Sequence, residues 1–139
     1  MTIVIDTNVI VAALKSKTGA AYKLVSKIPS AQFQAALSNT LYSEYRDVVF
    51  RPAIRPVGST DDDLMDFLDQ ILEHADTRNI SYLWRPFLSD PKDDMLLEIA
   101  VASQAEYIVT YNIRDFDRIE LFGIEAVRPG EFLKILETL

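Results

Sequence analysis

The chain contains no cysteine. Disulfides, thiolate zinc sites and thiol nucleophiles are therefore excluded, and the composition fits a cytoplasmic protein. It has one histidine, His74, which weighs against a histidine-rich metal site and against a Ser-His-Asp triad. No apolar run approaches the roughly 20 residues that a membrane helix needs, so no membrane association is expected. The sequence enters TIVIDTN directly, without a basic leader, and no signal peptide is expected. Basic charge is also short. Lys and Arg number 14 against 21 Asp and Glu, for a net charge of −7. A simple nucleic-acid-binding protein would be basic. Acids gathered around divalent cations lessen that objection, but the remaining basic residues must then be locally arranged for RNA to bind.

What is present is enough chain for one domain with a real core, 139 residues. Short apolar runs alternate with helical patterns. Strands are expected at Thr2–Ile5, Phe33–Leu37, Ile80–Leu83, Tyr107–Thr110 and Ile124–Val127. Helices are expected at Asn8–Leu14, Ala20–Ile28, from Ser38–Thr40 to about Phe50, from Ser59–Thr60 to about Ala75, at Asp93–Gln104, and from Pro129 through Leu136. Asn112–Arg118 reads as a loop or short helix. The strands are continuous apolar runs rather than in–out alternations, which implies burial on both faces. That pattern predicts an α/β fold of three layers, α/β/α, around a central parallel sheet of about five strands.

In such a fold every loop leaving a strand lies on one edge of the sheet, where ligands bind. Asp6 follows the first strand. Ser38 and then Glu44, on the following helix, come after the second. Asp90, Asp93 and Asp94 come after the third, and Asn112, Asp115 and Asp117 after the fourth. Clustered carboxylates repel one another, and a hard cation relieves that repulsion. Oxygen donors without histidine or thiolate point to Mg²⁺ or Mn²⁺. Metal held this way serves in-line displacement at phosphorus and needs no covalent nucleophile.

Each acid also has an ordinary reading. Asp6 can cap a turn, Glu44 can be an exposed helical acid, Asp93 and Asp94 can favour a helix N-terminus, and Asp115 and Asp117 can be loop charges. Asp61–Asp63 read as a helix cap and His74 as a solvated helix end. The argument for a site is the joint placement of the acids.

Three stretches carry a family resemblance. IVIDTNVIVAAL supplies Asp6, Thr7 and Asn8, and LSNTLYSEY supplies Ser38 and Glu44. SDPKDDMLLEIAVASQAEYIVTYNIRDF joins an acid, a helix, a buried strand and Asn-x-x-Asp-Phe. The sequence resembles the PIN-domain family, in particular its bacterial VapC-like members, the toxin components of toxin–antitoxin pairs. The resemblance spans essentially residues 1–139 and implies a single PIN-like domain. It implies a metal-dependent ribonuclease in which Asp6, Glu44, Asp93 and Asp115 hold Mg²⁺ or Mn²⁺, with Thr7, Asn8, Ser38, Asp94, Thr110 and Asn112 in support. Asp93 is preferred over Asp94 as the ligand, because it sets Leu96 and Ala100 where the family helix is buried. Asn112 stands where many relatives carry an acid. An antitoxin partner and a homodimer are further implications.

For substrate approach, Lys15, Lys17, Lys23 and Lys27 on the first two helices, or Arg46, Arg51 and Arg55 near Glu44, are placed to line a phosphate track or simply to face solvent. Tyr42, Tyr45 and Tyr111 are candidates for base stacking or for packing. Two other functions share the architecture. A haloacid-dehalogenase-like phosphatase would need a second aspartate where Asn8 stands, and a degenerate PIN module acting only in binding would not need the intact acid set.

Overall fold

The apolar residues after Met1 form β1 (Thr2–Ile5), and the chain then turns directly into α1 (Thr7–Lys15) and α2 (Ala20–Val25). β2 (Gln34–Leu37), α3 (Asn39–Val49), α4 (Asp61–Glu73) and β3 (Asp76–Thr77) follow. The second half carries α5 (Pro91–Ser103), β4 (Tyr107–Val109), two 3-10 helices (Ile113–Phe116 and Ile119–Phe122), β5 (Glu125–Val127) and α6 (Pro129–Glu137). This computed structural model describes residues 1–80 and 87–139.

The five strands pair in parallel in the order β3-β2-β1-β4-β5. The chain winds outward from β1 through β2 to β3, then crosses to β4 and β5 on the other side. Right-handed crossovers therefore place the helices between β1 and β3 on one face and α5 on the other. α5 packs on β1, β2 and β4, while α2 meets α6 and α1 meets both α2 and α3. The three-layer α/β/α arrangement expected from the apolar runs is present. Ile3, Val4, Ile108 and Val109 are fully buried, as strands covered on both faces must be. They join one buried core with Leu24, Leu41, Leu97 and Phe132. Among the described residues no helix is long and apolar enough to cross a membrane.

The helix ends follow local chemistry. Ser38 Oγ accepts from the Leu41 N–H at 3.1 Å and starts α3. Thr60 and Asp63 form a reciprocal capping box on α4, so the three aspartates there are a cap, as their sequence suggests. Asp90 caps α5 by accepting from the Lys92 N–H at 2.9 Å, with Pro91 in the first helical position. α5 thus begins two residues before the expected Asp93, which puts Asp93 at its third position. α2 ends at Val25, before the expected Ile28. There the Ser26 hydroxyl turns back to the carbonyls of Tyr22 and Lys23, and single-turn bonds replace the helix.

The third strand differs from the expectation. Ile80 is not in a strand, and residues 81–83 of the expected run lie outside the described residues. The described β3 is the polar pair Asp76–Thr77, in register with Ala36 and Leu37. An edge strand has one covered flank, so an apolar-run criterion passes over it. Arg78 extends the pairing by donating its N–H to the Leu37 carbonyl at 2.7 Å.

Candidate active site

The strand order reverses between β1 and β4, and this switch point opens a crevice at the carboxyl ends of those two strands. Asp6 leaves β1 there and Thr110 leaves β4. The Thr110 hydroxyl donates to Asp6 Oδ2 at 2.8 Å and so bridges the crevice. Thr110 is fully buried. Its oxygen also accepts from the Asn112 N–H at 3.0 Å and from the Asn8 amide at 3.5 Å. Asn8 in turn accepts from the Tyr111 N–H at 3.3 Å. The DTN segment and the turn after β4 are thereby joined into one hydrogen-bonded unit.

Glu44 enters from the middle of α3. The Thr7 hydroxyl donates to its Oε2 at 2.8 Å, and the Lys92 ammonium lies 3.8 Å from its Oε1. Beneath both acids is Tyr45, 1% exposed, whose hydroxyl donates to the carbonyl of Ile5. Burial, and then the negative charges of Asp6 and Glu44, push the Tyr45 phenol well above its ordinary pKa. A side chain so placed cannot stack on a base, which removes Tyr45 from the stacking candidates and makes it a support for the end of β1.

Asp93 is only 8% exposed. No hydrogen bond reaches its carboxylate from the described residues. Burial, reinforced by the charges of Asp6, Asp90, Asp115 and Asp94, raises its pKa to about 7. Asp6 is raised as well, chiefly by burial and in smaller part by Glu44. The Thr110 hydroxyl and the nearby N–H groups of Asn8 and Thr7 oppose that rise. The four expected acids thus form an electrostatically linked series, Glu44 to Asp6 to Asp93 to Asp115. Asp94 does different work. Its Oδ1 accepts from the N–H groups of Phe87 at 3.1 Å and Leu88 at 2.8 Å, and so anchors the segment entering α5.

The supporting residues divide by role. Ser38 is a helix cap, Thr7 orients Glu44, and Asn112 meets Thr110 through its backbone. The cationic candidates are less concentrated at the acids. Lys15 and Arg46 are exposed, Arg51 is paired with Asp47 within α3, and Arg55 with Asp61. Three cations that the sequence reading did not single out lie closer. Lys92 pairs with Glu44, and Arg114 and Arg118 line a cleft of about 210 Å³ together with Asp90, Asp93 and Asp115. Adjacency to the acid motifs, in PKDD and in NIRDFDR, is the signal that could have found them.

The donor set suits a hard divalent cation: carboxylate oxygens only, in mutual repulsion, one of them buried without a hydrogen bond from the described residues. As the side chains stand, no three His, Asp or Glu residues among the described residues converge on one ligating point. The cluster is assembled in position but not drawn together.

A PIN-domain family model matches residues 2–114. No curated protein sequence matches the chain. Among solved structures, the fold is similar to a chain of VapBC2 from Rickettsia felis bound to a DNA fragment from their promoter. The TM-score is 0.61 at 18% identity, over 92% of this chain and 98% of that one. With the model spanning everything from β1 into the turn after β4, and so Asp6, Glu44 and Asp93 and the chain up to the residue before Asp115, the chain belongs to the PIN-domain family.

Proposed function

We propose that the chain is a divalent-metal-dependent endoribonuclease that hydrolyses RNA phosphodiester bonds and serves as the toxin of a toxin–antitoxin pair in the cytoplasm. Membership of the PIN-domain family supports nuclease chemistry in general, and the likeness to a chain of a VapBC assembly supports an antitoxin partner. The observation that carries the reading is Asp93, a buried carboxylate with no hydrogen bond from the described residues and with Asp6, Asp90 and Asp115 around it. Such a group is costly to keep charged unless a cation sits beside it.

Asp6, Asp93 and Asp115, with Glu44, would hold Mg²⁺ or Mn²⁺. Such an ion, when bound, supplies Lewis-acid stabilisation of charge at phosphorus. The chain's own residues set the stage. The Thr110 hydroxyl holds Asp6, which the backbone N–H groups of Thr7 and Asn8 also reach, and the Thr7 hydroxyl holds Glu44. Asp94 holds the segment before α5 and thereby the position of Asp93. Asn8 occupies the place where a phosphatase of the haloacid-dehalogenase type needs an acid, and its amide is engaged with Thr110 and Tyr111. It is a scaffold residue and not a proton donor to a leaving group.

The deciding experiment is cleavage of single-stranded RNA with Mn²⁺ or Mg²⁺, with EDTA, and with EDTA followed by excess Mn²⁺. Activity should vanish in chelator and return with metal. Full activity in excess chelator, or turnover of a phosphomonoester in place of RNA, would overturn the proposal.

A further inference from the structure

The cleft that contains Asp93 and Asp115 also has a basic wall that a metal site does not use. Arg114 lies in the first 3-10 helix and Arg118 just before the second, and both line the cleft. The Arg114 guanidinium has no hydrogen bond or ion pair with a described residue. Arg118 is held in a particular way. Its backbone is left-handed, with φ 63°, a conformation disfavoured for a residue with a Cβ. Its guanidinium lies 4.9 Å from the centroid of the Phe87 ring. Phe87 is braced edge-on by Phe122, with centroids 5.1 Å apart. The approach of Asp117 to Arg118 is long, at 4.0 Å.

Stacking on a ring engages the face of a guanidinium and leaves the N–H groups around its edge available for an oxyanion. Two such cations in a cleft with four aspartates, Asp90, Asp93, Asp115 and Asp117, make an asymmetric surface. One phosphate of a nucleic-acid backbone can face the acids and their cation, while its neighbour meets the guanidiniums. Phe122, 37% exposed, adds ring surface next to Phe87. Cation and aromatic surface together are what single-stranded nucleic acid uses for binding.

We propose that Arg118, stacked on Phe87, together with Arg114 forms a subsite for an RNA backbone phosphate adjacent to the one cleaved. This rests on the reading of the chain as a ribonuclease. Arg118 and Arg114 are positioning residues for substrate, and Phe87 positions Arg118.

The test has two arms, both on the full chain. In turnover of a single-stranded oligoribonucleotide with Mn²⁺, Arg118→Gln and Arg114→Gln should each raise KM about tenfold with little change in kcat, as the loss of uniform binding does. In equilibrium binding of the same labelled oligoribonucleotide to the Asp93→Asn chain, removing one arginine should lower the slope of log affinity against log salt by about 0.7. Arg118→Lys should recover charge but only part of the affinity. Phe87→Leu should weaken binding by itself and add little to Arg118→Gln. The arginine variants should melt at the wild-type temperature. If the wild type does not cleave RNA yet the salt slope falls, the subsite stands and the nuclease reading fails. If the wild type cleaves and the arginine variants keep its KM and slope, the subsite is overturned and the nuclease reading stands. The same holds if those variants lose only inhibition by a protein partner, since the arginines would then serve an acidic protein surface.

Discussion

The two halves of the acidic crevice are built differently. On the β1 side, Asp6 and Glu44 each receive a threonine hydroxyl at 2.8 Å, and Tyr45 fixes the strand end beneath them. On the α5 side, Asp93 receives no hydrogen bond from the described residues and is held only by its place on the helix, while neighbouring charges press on it. One half is ordered by hydroxyl groups, and the other stores repulsion. Preorganisation and stored repulsion are separable quantities. Mutations on the first side should disturb geometry, and mutations on the second should relieve strain while removing a ligand. This is the usual opposition between stability and activity.

The largest expected effect is catalytic. Asp93→Asn and Asp6→Asn should each lower RNA cleavage by about two or more orders of magnitude, since a lost metal ligand removes several kcal/mol of stabilisation. Asp94→Asn should cost much less, because its structural task is to accept two backbone N–H groups and an amide oxygen can still accept them. Rates measured with saturating Mn²⁺ compare them. Equal and severe losses at Asp93 and Asp94 would erase the distinction drawn between the two.

Metal comes next in size. A divalent ion that binds the folded cluster and hardly binds the unfolded chain should add about 2.7 kcal/mol at a hundred times its dissociation constant. For a domain of this size that is a rise of about 5–10 °C in melting temperature. Asp6→Asn should melt higher than the wild type in EDTA and respond less to Mn²⁺. Identical melting of the wild type in EDTA and in Mn²⁺ would show that the acids do not act as one site.

A pH series isolates the α5 side. The Asp93 pKa is raised from 3.8 to about 7, mainly by burial. Between those values the folded chain binds a proton that the unfolded chain has released, so stability falls as pH rises. The metal-free protein should therefore be most favoured, as far as this group is concerned, near pH 4, and should lose several degrees of melting temperature by pH 8. Asp93→Asn should flatten that slope. A wild-type slope of opposite sign between pH 5 and 7 would mean that Asp93 is not the group under strain.

How much of this was legible in the residues follows from the same contrast. The strands buried on both faces, β1, β2 and β4, announce themselves as apolar runs, and the acids that leave them were placed correctly by topology. The polar edge pair Asp76–Thr77 has no such signature. Asp93 and Asp94 are adjacent in sequence, and the preference for Asp93 rested on which choice buries Leu96 and Ala100. In the structure Asp94 accepts from the Phe87 and Leu88 N–H groups, while the Asp93 carboxylate has no hydrogen bond from the described residues, a difference the sequence does not show. Tyr45 read equally as a stacking ring or a packed one, because a helix position does not reveal that its hydroxyl reaches the Ile5 carbonyl 40 residues earlier. Arg118 was passed over because its role depends on Phe87, which is brought to it by tertiary packing.

The smallest expected effect lies on the ordered side. Thr110→Val keeps the shape of a fully buried side chain but removes the donor to Asp6 and the acceptor for the Asn112 N–H. Leaving buried polar groups without a partner costs about 1–3 kcal/mol, so the variant should melt lower than the wild type in EDTA. Asp6 would also lose the hydrogen bond that most opposes its raised pKa, and it should therefore hold its proton to higher pH. Cleavage should then be weakened most at low pH and recover in part as pH rises. Thr110→Ser restores the hydroxyl and should restore the pH profile even if some packing is lost. A purely structural threonine would give a different pattern: equal losses of stability in Val and Ser variants with no movement of the pH profile. That outcome would show that Asp6 is ordered by its place at the end of β1 alone, and that the two halves of the crevice differ less than their hydrogen bonds suggest.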